Sequence, residues 1–192
     1  MNTNYLVNDN WYPDFESERH TAFQATYIEK EVDGVKYHNI SEIEDVSDQS
    51  RIETLIKAES KFSRFNSFYR KYDPSLPNNT YIHTDASMGD INAVIFLNEK
   101  KECYGGIAFW RHRFTGLLKA PNAEEAKLAH MSDSWMTAIN NDGLDESLWE
   151  MIDYVPMESN RCVIFNSSRF HSRWPKVSNE PARLIKAHFG AL

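Results

Sequence analysis

Residues 81–85 read Tyr81-Ile82-His83-Thr84-Asp85, and this short stretch decides how the rest of the chain is read. In an extended strand alternate side chains share a face. Tyr81, His83 and Asp85 therefore point one way, and Ile82 and Thr84 the other. An imidazole and a carboxylate two apart on one face can reach a single metal ion, provided a third ligand arrives from elsewhere. His171 is the best candidate, because it directly follows the strand-like run at residues 161–166. Two histidines and one carboxylate on one side of an ion leave the opposite positions open for substrate and O2. Alone, the His-x-Asp pattern is weak, since a surface histidine beside an aspartate is commonly an ion pair, so its surroundings carry the weight.

Around this stretch lie short apolar runs at residues 80–85, 91–97, 103–110, 161–166 and 182–189. Gly89, Asn98, Gly105 with Gly106, and Pro175 punctuate them. Many short strands separated by turn residues predict a sandwich or barrel. Residues 14–27, with Phe15, Phe23 and Tyr27, and residues 50–60, with Ile52, Leu55, Ile56 and Ala58, have helical spacing. Residues 122–140 and 146–154 also read as helices. The expected organisation is one domain over 1–192. Residues 1–79 form a helical or mixed support, and residues 80–189 form a β core with a helical insertion at about 122–154. That insertion either covers a mouth of the barrel or packs on its outside.

The 192 residues suit a single domain, and a 41% hydrophobic content is enough for a core. The net charge of −7 argues against nucleic acid or an anionic membrane as the main partner, because both reward a basic surface. Charge is unevenly spread: from Arg161 to Lys186 the cations Arg161, Arg169, Arg173, Lys176, Arg183 and Lys186 face only Glu180. A local basic site in an acidic chain suggests a small anionic ligand, although most of the six are expected to be solvated. Cys103 and Cys162 lie in apolar runs and make no disulfide framework, which fits a reduced, cytoplasmic compartment. The N-terminal residues lack the basic-then-apolar pattern of a signal peptide, and no apolar stretch approaches a membrane span.

Five ordered features extend the His-x-Asp strand. They are His83-Thr84-Asp85, the aliphatic run INAVIFLN at 91–98, the turn and strand Gly105-Gly106-Ile107-Ala108-Phe109, the run NRCVIFNSSRFH ending at His171, and Arg183 beyond it. Together they resemble the 2-oxoglutarate/iron(II) oxygenase superfamily, in its prolyl-hydroxylase-like branch, over about residues 81–189. The resemblance implies a mainly β fold with flanking helices around a double-stranded β-helix, a jelly-roll or cupin-like core. It also implies Fe(II) held by His83, Asp85 and His171, with 2-oxoglutarate as cosubstrate and O2 as oxidant. The implied reaction hydroxylates a C–H bond of a small molecule or an amino-acid residue and releases succinate and CO2. Tyr81 and Asn92 are placed to donate to bound 2-oxoglutarate, although a core role for Tyr81 is an equal alternative.

In residues 183–189 strand alternation puts Arg183, Ile185, Ala187 and Phe189 on one face, apolar apart from Arg183. A buried arginine needs an anionic partner, and the distal carboxylate of 2-oxoglutarate fits its two-pronged geometry. Lys186, on the opposite face, is the rival. Ile185 departs from the family, many of whose members carry Ser or Thr there. Asp85, where Gly or Ala would suggest a halogenase, favours hydroxylation. Two other readings compete with the enzyme: an inactive β-helix binding module, and a cupin-type metalloenzyme that does not use 2-oxoglutarate.

Overall fold

The computed structural model describes residues 5–32, 35–72, 82–128, 130, 133–175 and 182–192. In chain order its elements are β1 (Tyr5–Asn8), α1 (Phe15–Gln24), β2 (Ile28–Val32), β3 (Val35–Ile43), α2 (Val46–Ile56), β4 (Arg64–Tyr72), β5 (Ile91–Phe96), β6 (Gly106–His112), α3 (Ala123–Leu128), α4 (Asp133–Asp142), β7 (Trp149–Pro156), β8 (Cys162–Asn166), β9 (His171–Trp174) and β10 (Arg183–Ala191). The strands form a large sheet of order β1-β8-β5-β10-β4-β3-β2 and a small one of order β7-β6-β9. His83 joins the small sheet through a single bridge to His171.

The two sheets face each other across Phe96, Ile107, Phe109, Val155, Val163 and Phe165. Period-2 alternation sorts the regular core strands into this interior or an outer layer. On β5, Val94 and Phe96 face in, while Ala93 and Ile95 face out. On β10, Ile185 faces in and Leu184 out, as the sequence pattern predicts. Outside the large sheet, Trp11, Ala22 of α1 and Ile52 of α2 cover Ala93, Ile95, Ile164 and Leu184. Asp14 caps α1 by accepting from the Ser17 amide, and Asp45 caps α2 by accepting from the Asp48 amide. Outside the small sheet, Ile139 of α4 packs with Ile82, Ala108, Trp110, Trp149 and Phe170. This is a double-stranded β-helix with flanking helices.

Gly105 and Gly106 let β6 thread between its neighbours. Gly105 has φ +68°, and a Cβ on Gly106 would lie 2.1 Å from the Val155 carbonyl oxygen. Gly106→Ala is expected to lower stability by at least the roughly 1–3 kcal/mol typical of overpacking. An unchanged thermal midpoint would show that the β6–β7 spacing yields instead.

Several expectations need correction. Residues 146–154 are not a helix: a short turn at Glu146–Leu148 leads into β7, a strand of the small sheet. Leu148, Ile152 and Val155 mimic helical spacing because the β6–β7 register shifts between Phe109 and Trp110, leaving Ile152 unpaired and breaking the period of two. The helical part of the 122–154 insertion is therefore shorter, and residues 122–140 hold α3 and α4 rather than one helix. Through Ile139, α4 packs on the outside of the small sheet rather than over a mouth. The support assigned to residues 1–79 also contributes β4, which pairs with β10 along its whole length, so the barrel begins before residue 80. Polar Asn66 and charged Arg64 and Arg70 alternate with Phe65, Ser67 and Tyr69 in β4, which hides its strand character. α2 starts at Val46, four residues before the expected position. Of the expected 80–85 strand, residues 80 and 81 lie outside the described residues, and His83 alone makes a bridge.

Candidate metal centre

His83 and His171 are held opposite each other by two backbone hydrogen bonds, of 3.0 and 2.9 Å. Their rings lie 4.5 Å apart between centroids. The Asp85 amide donates to the Ser167 carbonyl at 2.8 Å, which ties the third residue to the turn before β9. The side chains then converge. His171 Nε2 is 3.1 Å from Asp85 Oδ2, and His83 Nε2 is 3.6 Å from Asp85 Oδ1. One ligating atom from each of the three lies within 4.8 Å of the others, the one such cluster of His, Cys, Asp and Glu among the described residues.

The surroundings orient this trio. His171 Nδ1 lies 2.9 Å from the Arg169 carbonyl oxygen and can only donate to it, which leaves Nε2 as the nitrogen that faces the site. That nitrogen faces Asp85 Oδ2: a protonated ring donates to the carboxylate, and a deprotonated one offers its lone pair to a cation beside it. Asn92 Nδ2 donates to Asp85 Oδ2 at 2.7 Å. Burial pushes the Asp85 carboxyl up, but His171, His83 and Arg70 overcome it and hold the group down at about 2. It is therefore an anion at any working pH. Two imidazoles with one carboxylate, of which His171 and Asp85 are steadied by outer hydrogen bonds, fit a divalent transition-metal ion with one side open.

The remaining candidates are placed as follows. Arg183 is 8% exposed on the inner face of β10, with Nη2 donating to the carbonyls of Tyr104 at 3.3 Å and Gly106 at 3.5 Å. Its rival Lys186 lies on the outer face, bonded to Glu18, Asp45 and Asp48. Asn92 faces inward as expected, but its amide engages Asp85 rather than being aimed at a bound carboxylate. Tyr81 lies outside the described residues. His112, at the end of β6, is buried between Thr115 and Asp142, and Arg111 pairs with Glu150. The Arg173 guanidinium sits 3.8 Å over the Tyr72 ring.

Sequence reasoning missed Arg70, and it counted Arg169 only among six basic residues of which most were expected to be solvated. Arg70 acts on Asp85 from β4. Arg169 is buried with its guanidinium 4.3 Å over the Phe109 ring. The second was legible, because position 169 shares the face of His171 by alternation.

The fold is that of the prolyl hydroxylases and other 2-oxoglutarate/iron(II) oxygenases. The chain is similar to AviO1 from Streptomyces viridochromogenes Tue57 (TM-score 0.58, 12% identity, covering 98% of this chain and 90% of that one). It is also similar to a prolyl hydroxylase from Trichoplax adhaerens in complex with a hypoxia inducible factor peptide (TM-score 0.55, 12% identity, 99% and 84%). HygX from Streptomyces hygroscopicus, with nickel, 2-oxoglutarate and hygromycin B bound, is a third (TM-score 0.53, 15% identity, 98% and 83%). No curated protein sequence matches significantly. Residues 41–181 match the model of a family of unknown function (DUF6445), and the chain belongs to that family. Among the described residues no helix is long and apolar enough to cross a membrane.

Proposed function

We propose that this chain is an iron(II)- and 2-oxoglutarate-dependent dioxygenase that hydroxylates a C–H bond of a small molecule or an amino-acid residue, releasing succinate and CO2. The observation that carries the reading is the convergence of His83, Asp85 and His171 at the rim of a double-stranded β-helix whose inner face also holds Arg183. Iron with 2-oxoglutarate and O2 supplies the oxidising chemistry when bound. The protein's part is to hold and orient. His83, Asp85 and His171 would hold the ion. Asn92 fixes the Asp85 carboxylate, and the Arg169 carbonyl fixes the His171 tautomer. The Phe96, Phe109 and Phe165 wall keeps the interior dry.

Arg183 would hold the distal carboxylate of 2-oxoglutarate, whose shape and charge suit a guanidinium. The structure gives Lys186 three carboxylate partners on the opposite face, which supports Arg183 over its rival. Arg183→Ala is expected to weaken 2-oxoglutarate binding by about 2–5 kcal/mol, roughly thirtyfold or more, with iron loading little changed. Normal cosubstrate affinity in the folded variant would remove Arg183 from the role. Succinate formation from 2-oxoglutarate by the iron-loaded protein tests the function as a whole. Binding without turnover would leave an inactive module, and metal uptake with no response to 2-oxoglutarate would point to a cupin-type enzyme.

A further inference from the structure

We propose that the organic substrate carries a carboxylate and that Arg169 binds it. This deepens the function proposed above and rests on it. Arg169 and His171 alternate with Phe170, which is buried in the cluster outside the small sheet, so both point toward the interior. Phe109, over which the Arg169 guanidinium lies, is paired across the sheet with His171 and packs edge-on against Phe165. Phe165 in turn packs against the His171 ring. The cation therefore belongs to the same wall as the metal ligands.

Arg169 is 5% exposed, yet its Nη1 atom is buried and donates to no acceptor among the described residues. A buried donor left unmade costs about 1–3 kcal/mol, more when charged. The stack on Phe109 stabilises the cation but does not occupy its N–H groups. Asp153 and Tyr5 are near enough to favour the charged form against burial, which pulls the guanidinium pKa down. Asp153 does not take Nη1, however, and accepts from the Tyr5 hydroxyl instead. A charged donor kept dry and unmade beside a metal centre is a feature that an incoming anion would complete.

The cosubstrate does not fill this role, because Arg183 stands on β10 at the Tyr104–Gly106 turn, a separate part of the inner face. A monoanion suits the charge, since Asp153 already offsets part of it. A planar carboxylate suits a guanidinium whose Nη1 has no acceptor of its own.

The test uses full-length protein loaded with Mn(II), which is paramagnetic, and saturated with 2-oxoglutarate. Binding of N-acetyl-L-amino acids and their primary amides is read from proton relaxation by the metal. Short peptides ending in the best acid separate a free small molecule from a peptide terminus as the source of the carboxylate. Acids are expected to bind at least tenfold more tightly than matched amides. Arg169→Gln should remove that preference, Arg169→Lys should keep part of it, and both should bind Mn(II) and 2-oxoglutarate as the unmodified protein does. Amides binding as well as acids, no acid binding at all, or a folded Arg169→Gln protein that keeps the preference would each overturn the assignment. Loss of 2-oxoglutarate binding in Arg169→Gln would overturn it too, by moving Arg169 to the cosubstrate. If Arg169→Gln does not fold, loss of the preference in Arg169→Lys supports the assignment and its full retention there rejects it. If unmodified protein takes up neither Mn(II) nor 2-oxoglutarate, the functional reading itself fails, an outcome distinct from all of these.

Discussion

His83→Ala, Asp85→Ala and His171→Ala should each strip the protein of iron and of turnover. The expected loss exceeds the roughly 10–100-fold that follows removal of an outer partner of a ligand, because a three-ligand site has none to spare. Asp85→Ala should be the most severe. It removes the sole anion of the trio and leaves two imidazoles 4.5 Å apart with nothing to balance a dication. It also orphans the Asn92 amide, which now donates to Asp85 at 2.7 Å. Iron stoichiometry of the purified variants, measured beside succinate formation, checks all three. Full loading and activity in any one of them would take that residue out of the site. Folding should survive, since the bridge between residues 83 and 171 is made by backbone groups.

Lys186→Ala should cost about 3–5 kcal/mol of folding stability, the usual penalty for removing one partner of a buried ion pair. Lys186 is 2% exposed beneath α1 and α2. Its ammonium lies 2.8 Å from Glu18 and 3.2 Å from Asp48, and it also contacts Asp45. His188, Trp11 and Tyr12 add contacts to Asp48. Without the cation, three carboxylates share one dry layer. Burial alone would push the Asp48 carboxyl up, but His188 and Lys186 reverse this and hold it well below the ordinary carboxylate range. A carboxyl depressed in the folded state stabilises fully above its unfolded pKa, near 3.9, and loses that contribution as pH falls toward the folded value. Stability should therefore be flat through neutral pH and fall steeply below about pH 4, with a shallower fall in Lys186→Ala. Denaturant midpoints between pH 2 and 7 read both effects. Equal stability of Lys186→Ala and the unmodified protein would mean that the carboxylates take up protons at little cost.

Local periodicity made part of this protein legible. The alternation of residues 183–189 separated Arg183 from Lys186 correctly, because side-chain direction in a strand depends on parity alone. The same rule placed Asn92 inward and put His83 and Asp85 on one face. Ordered motifs pointed to His171, which the structure brings beside His83 and Asp85. Parity fails where a ladder is irregular, and the unpaired Ile152 made β7 look helical. It also says little about β4, whose inner face mixes Arg64, Asn66 and Arg70 with Phe68 and Tyr72.

The sequence by itself determined which residues could hold a metal, which face of the last strand carries the buried arginine, and the β-rich class of the fold. Only the tertiary structure decided what each charged group meets. Glu18, Asp45 and Asp48 come from two helical segments far from Lys186 in the chain, and no local pattern announces their meeting. Asn92 turned out to hold Asp85 because β5 lies beside β8, whose following turn anchors the Asp85 backbone. Arg169 became a buried cation because β6 delivers Phe109 beneath it. The physical reason is range: chain periodicity is set by backbone geometry over a few residues, whereas desolvation and charge pairing depend on which distant segments the fold brings within a few ångströms.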